Sequence, residues 1–143
     1  MQRAVDAAAR FGPVRVDQMR GCTSEEILEI AELWGKKKLP KAYEEFLVLM
    51  GRGLGDLFVG SRMFYPDILN LPKEVAWLIA GDPNFALPAN ASPFASHQGY
   101  QFLYMTDGDD PPVYFYMEMQ GKGVFRRDRF SQFVADGILA ELC

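Results

Sequence analysis

Histidine and cysteine are nearly missing from this chain of 143 residues, which holds one of the first and two of the second. Their scarcity removes whole classes of chemistry. Cys22 and Cys143 cannot supply the framework of a disulfide-stapled secreted domain, and a reducing compartment fits them better. With His97 they still fall short of an ordinary structural zinc site. A Ser-His-Asp or Cys-His arrangement would have to be built on His97 alone, no Gly-x-Ser-x-Gly segment occurs, and Cys22 has no reactive context. His97 therefore reads as a hydrogen-bonded residue at a strand end. Long apolar runs are absent too, and Arg3, Asp6 and Arg10 stand where a signal peptide needs an unbroken apolar core. The expected location is the cytoplasm, away from membranes. Nor is there a basic excess: 15 Lys and Arg against 19 Asp and Glu give a net charge of -4, which disfavours nonspecific nucleic-acid binding and inclines the chain towards cationic partners.

What is present suits a folded domain. Hydrophobic residues make up 49% and charged residues 24%, without repeats or low-complexity tracts. A chain of this length removes roughly 70% of its unfolded surface from water as one domain. The expectation is a single domain over 1–143, with residues 1–22 a peripheral N-terminal segment in which 4–11 form a thin helix stopped by Gly12-Pro13.

Thr23 and Glu26 have capping-box spacing and predict a helix carrying Ile27, Ile30, Ala31 and Trp34, ended by Gly35. Leu39-Pro40 opens a second, since proline suits a first helical position where its missing N–H is not needed; Tyr43, Phe46, Leu47 and Met50 line its buried stripe and Gly51 stops it. Leu71-Pro72 repeats the opening, with Val75, Leu78 and Ile79 as the apolar face. Asp128 is placed to cap a last helix through Phe130, Phe133, Val134 and Ile138, although Gly137 costs it about 1 kcal/mol relative to alanine.

Short strands are expected at 57–59 and at Met63-Phe64-Tyr65, and the stretch 84–93 reads as an irregular connection anchored by Phe85 and Leu87. Residues 94–119 give the clearest β signal. Aromatic and β-branched residues crowd two arms, and the Gly, Asp and Pro of 106–112 supply positive φ, local hydrogen bonds and fixed φ. Gln120-Gly121-Lys122-Gly123 then reads as a turn before a strand at Val124-Phe125. The resulting fold class is α+β, with a mainly antiparallel sheet centred on 100–105 and Val113–Met117 and covered by helices. Tyr43, Phe46, Phe102, Tyr114 and Phe133 are expected in its core.

Few segments invite a chemical reading. Gly51-Arg52-Gly53-Leu54-Gly55 follows a helix and precedes a strand, the reverse of a phosphate-cradling loop. Lys36-Lys37-Lys38 reads as a solvated inter-helix loop, and Arg126, Arg127 and Arg129 as charge balance. Asp107, Asp109 and Glu118 match the first, third and twelfth positions of an EF-hand loop. Pro111 and Pro112, however, fill the fifth and sixth, and strands flank the segment. The turn is better read as a solvated hairpin tip. Asp107, Asp109, Asp110 and Glu118 are the candidates for contact with a partner, because exposed carboxylates steer encounter with a cationic surface. No catalytic residue, metal ligand or cofactor site is expected.

Leu39-Pro40-x-x-Tyr43-x-x-Phe46-Leu47, His97-Gln98-Gly99-Tyr100-x-Phe102, Asp107-Gly108-Asp109-Asp110-Pro111-Pro112-Val113-Tyr114 and Phe130-Ser131-x-Phe133, in that order, resemble the SUKH superfamily over residues 23–139. The resemblance implies a SUKH-like α+β domain that binds and does not catalyse. Many such domains are bacterial immunity proteins that neutralise polymorphic toxins, often nucleases, and others include a fungal regulator of cell-wall synthesis. It therefore implies a protein partner, a cognate toxin, beside the expectation of no direct nucleic-acid or membrane binding that the charge balance and the lack of long apolar runs give. A general adaptor or regulatory domain is the alternative, and a small hydrolase a third reading. No site transfers position by position, because toxin contacts differ with the toxin.

Overall fold

The computed structural model describes residues 19–54, 61–83, 85–97, 101–117, 124–127 and 129–142. The expected helix at 4–11, the strand at 57–59, the turn at 120–123, the cap Asp128 and the candidate Glu118 lie outside them.

Among the described residues, four helices pack with a five-stranded antiparallel sheet in a single α+β domain. The helices are α1 (Ser24–Leu33), α2 (Lys41–Met50), α3 (Leu71–Ala80) and α4 (Phe130–Leu142). The strands are β1 (Met19–Arg20), β2 (Gly53–Leu54), β3 (Ser61–Arg62), β4 (Ser92–His97), β5 (Gln101–Met105), β6 (Val113–Met117) and β7 (Val124–Arg127). The main sheet runs β3-β4-β5-β6-β7 in chain order, with two-residue β3 at one edge, and β1 pairs with β2 apart from it.

Local chemistry accounts for α1 at both ends. Thr23 Oγ1 accepts from the Glu26 backbone N–H at 3.2 Å, and Glu26 Oε1 accepts from the Thr23 N–H at 2.9 Å, so both halves of the capping box form. At the other end the Gly35 N–H donates to the Glu32 carbonyl and the Lys36 N–H to the Ala31 carbonyl, each at 3.0 Å. That pairing is a Schellman motif, and it needs Gly35 at φ 68°, where a side chain would be strained. Glu26 does a second job. It pairs with the Arg52 guanidinium, which also lies 4.9 Å over the Tyr65 ring, while the Tyr65 hydroxyl donates to Glu29 at 2.8 Å. One arginine thus ties α1 to the loop after α2 and to the segment before α3.

The core is aromatic. Tyr43 stacks on Trp34 at 5.0 Å between ring centres, and Phe130 meets Tyr43, Phe46 and Phe94 edge-on at 5.3–5.5 Å. Over β5 and β6, Phe102 stacks on Tyr116 at 5.0 Å and Tyr104 on Tyr114 at 5.3 Å. These are cross-strand neighbours on one sheet face, since Phe102 pairs with Tyr116 and Tyr104 with Tyr114. The Tyr116 hydroxyl donates to the buried Asp82 carboxylate at 2.7 Å, fastening the chain after α3 to the sheet.

Several expectations need correction. The first arm of the hairpin is two strands: β4 pairs antiparallel with β5, His97 opposite Gln101, so the chain reverses between them. β4 also begins at Ser92, inside the stretch read as irregular. Pro93 is tolerated because the register shifts between it and Ala95, and because β3 pairs only with Ser96 and His97, leaving β4 an edge beside the proline. The strand expected at Met63-Phe64-Tyr65 lies one step earlier, at Ser61–Arg62; Met63 is buried and the next residues lead into a 3-10 turn at Asp67–Asn70. Tyr43, Phe46 and Phe102 are fully buried as expected, whereas Tyr114 and Phe133 are only half-buried. Of residues 1–22, Met19 and Arg20 pair in the small sheet, and the Cys22 N–H donates to the Leu47 carbonyl at 2.8 Å.

Phe46→Ala or Phe102→Ala should destabilise the fold by about 3–5 kcal/mol, read from urea midpoints. Tyr43→Phe should leave stability unchanged or raised, because the Tyr43 hydroxyl is buried without a hydrogen-bond partner. Arg52, and next the Thr23 N–H, hold the Glu26 carboxyl below its ordinary value. Its contribution is therefore complete above the unfolded carboxylate value of about 4.3 and is lost as pH falls through the lower folded value. The urea midpoint of Glu26→Gln should lie below wild type at neutral pH and converge with it in acid.

Candidate functional site

The turn between β5 and β6 carries three of the four carboxylates singled out for partner contact, and it is held from three sides. Gly108 sits at φ 125°, a conformation L side chains rarely adopt, which fixes the path of its neighbours. Asp107 accepts from Lys36 Nζ at 2.8 Å, with its side chain 67% exposed and that of Lys36 18% exposed. Lys36 also reaches the Asn90 carbonyl at 3.4 Å, while Lys37 and Lys38 face solvent. The lysine run is therefore only partly a solvated loop, and its first member bridges to the turn.

Asp109 and Asp110 face helix starts. The Ala42 N–H, in the first turn of α2, donates to the Asp109 carbonyl at 2.7 Å. Pro40 occupies the N-cap of α2 and makes no side-chain cap, so this main-chain oxygen satisfies a donor that would otherwise be orphaned. The Asp110 carboxylate accepts from the Ser131 N–H at 2.9 Å and from Ser131 Oγ at 2.5 Å, capping the first turn of α4. Two helix N-termini, each carrying partial positive charge, thus meet on one acidic turn. Asp107 and Asp109 present their side chains to solvent, and Asp110 turns inward.

Capping of α4 from residue 110 was not anticipated. Its signal lay at α2, whose preceding Pro40 cannot cap through its side chain, and at the hairpin tip, which holds more aspartates than turn geometry requires; Asp128, the cap expected for α4, lies outside the described residues.

Chemically the turn is a set of acceptors. Among the described residues no group of three or more His, Cys, Asp or Glu could hold a metal ion, and strands flank the turn where an EF-hand loop needs helices. Burial, and then the nearby Glu26, push the Cys22 thiol up to about 11, so it stays protonated at neutral pH and is a poor nucleophile. No helix of the described residues is long and apolar enough to cross a membrane.

The SMI1 / KNR4 family (SUKH-1) matches residues 21–136. The chain belongs to that family. No curated protein matches the chain. SUKH proteins are generally non-catalytic, and immunity proteins that neutralise polymorphic toxins are among them. In this SUKH-1 domain three of the four motifs behind the resemblance converge at the turn. Leu39 to Leu47 contributes Ala42 and buried Tyr43; 107–114 contributes the Asp109 carbonyl and the Asp110 carboxylate; Phe130-Ser131 contributes Ser131 and the ring packed against Tyr43. The fourth motif places Phe102 in the core, and its residues 98–100 lie outside the described residues. These motifs build the fold.

Asp110→Ala should cost about 2 kcal/mol, because it strips a charged cap from a partly buried helix start. Asp109→Ala, which keeps the carbonyl that serves α2, should shift stability by less than about 0.5 kcal/mol in the same urea titration.

Proposed function

We propose that this chain is an immunity protein, acting in the cytoplasm by binding a cognate polymorphic toxin and not by turnover. The observation that carries the reading is membership of the SUKH-1 family over 21–136. The protonated Cys22 thiol and the acceptor-only chemistry of the turn support binding over catalysis. We place the contact surface on the acidic hairpin turn and the adjoining sheet. Asp107 and Asp109 supply its exposed charge, Glu118 belongs to the same candidate set, and Asp110 orients the turn through Ser131. A toxin that acts on nucleic acid fits this surface, since it must present cations to an anionic substrate and a carboxylate cluster both steers encounter and occludes the substrate site.

The test is coexpression with the toxin encoded beside this gene. Cells carrying both should grow where the toxin alone kills, and the purified pair should associate. Absence of rescue and of binding refutes the immunity reading. The Asp107→Asn, Asp109→Asn double variant should stay folded, because an exposed ion pair contributes only about 0–1 kcal/mol. Its association rate should fall about tenfold at low salt and lose most of its salt dependence. An unchanged rate places the contact elsewhere on the domain.

A further inference from the structure

An outward helix face is ordinarily polar, and that of α3 is not. Its exposed positions Lys73, Ala76, Trp77 and Ala80 follow helical spacing, opposite the buried Leu71, Val75 and Leu78. Trp77 is 72% exposed, the most open large apolar side chain among the described residues. An indole left in water beside two alanines forfeits the burial that makes tryptophan a frequent interface anchor.

We propose that this face of α3 binds a second copy of the chain, with the two α3 helices packed antiparallel about a two-fold axis. The face is self-complementary in shape. An axis passing between Ala76 and Trp77 seats each indole on Ala76 of the second copy, where a methyl group leaves room for the ring. It is also self-complementary in charge. The same axis sets each Lys73 beside Ala80 of the second copy, at the carbonyl end of a helix whose last turn carries no basic residue. An ammonium there supplies the cation that the negative helix end lacks. Glu74 stays out of conflict because it is held by Arg62 Nη1 at 3.5 Å, towards the edge strand β3. Such a contact satisfies the rule for a two-fold interface, that one patch must fit itself. It is small, being two indoles and the short helix face around them, so the dimer is a concentration-dependent one.

The association needs no toxin and is independent of the immunity reading. Sedimentation equilibrium of the purified chain from micromolar to millimolar concentration should show the average mass rising from monomer towards dimer, with tryptophan emission shifting to the blue as Trp77 is covered. Trp77→Glu should remain monomeric throughout with an unchanged far-ultraviolet circular dichroism spectrum. Lys73→Glu should weaken association about tenfold, because the dimer holds two copies of the helix-end contact. Leu28→Ala, at the other exposed large apolar residue, should associate as wild type does. Wild-type protein that stays monomeric at every concentration overturns the proposal. So does a folded Trp77→Glu variant that dimerises like wild type.

Discussion

Two helices begin at a single turn and draw acceptors from it. α2 starts at a proline that has no donor to spare and no side-chain oxygen, and α4 starts after an arginine. Free N–H groups in the first turn of a helix need acceptors, or remain orphaned against the core. The tip of the β5–β6 hairpin supplies them, a carbonyl for Ala42 and a carboxylate for Ser131. Everything behind the turn follows from that arrangement. With α2 and α4 brought to one point, Tyr43, Phe46 and Phe130 meet within aromatic contact distance, and Phe94 from β4 closes the group.

This arrangement separates two roles that look alike in a run of aspartates. Asp110 is used through its carboxylate and points inward, Asp109 through its backbone, and Asp107 through an ion pair at the surface. Side chains with no structural duty are the ones a surface can spend on recognition, which is why charge at the tip and order beneath it can coexist. The same logic distinguishes the cysteine: Cys22 is raised in pKa by burial and is committed through its backbone to Leu47, so its sulfur is a packing atom.

Much of the helical architecture was readable because its signals are local. Thr23 and Glu26, Gly35, Leu39-Pro40 and Leu71-Pro72 act within a turn of where they stand, and each marks an observed helix boundary to within a residue or two. The β5–β6 hairpin was legible for the same reason. The misreadings arose where distant pairing overrules local preference. Pro93 reads as a strand breaker, yet a bulge and a missing neighbour give it a place in β4. The candidate site was legible as a place, the acidic tip, but not in its division of labour, because Asp110 and Ser131 are 21 residues apart and no short-range pattern links them.

The turn also bears on how the chain acquires its structure. Lys36 and Asp107 are separated by 71 residues, and the cap on α2 spans a similar length. Loops of that size must close before the contacts that reward closure exist, so the entropy of closing them falls early and the capping energy arrives late. Helices of ten residues, such as α2, are marginal alone in water. α2 therefore has little reason to persist until the hairpin has formed and reached it, and α4 emerges later still in the chain. The first half cannot settle before the second is present, which makes assembly a single cooperative event and leaves an unfinished chain without a stable partial fold.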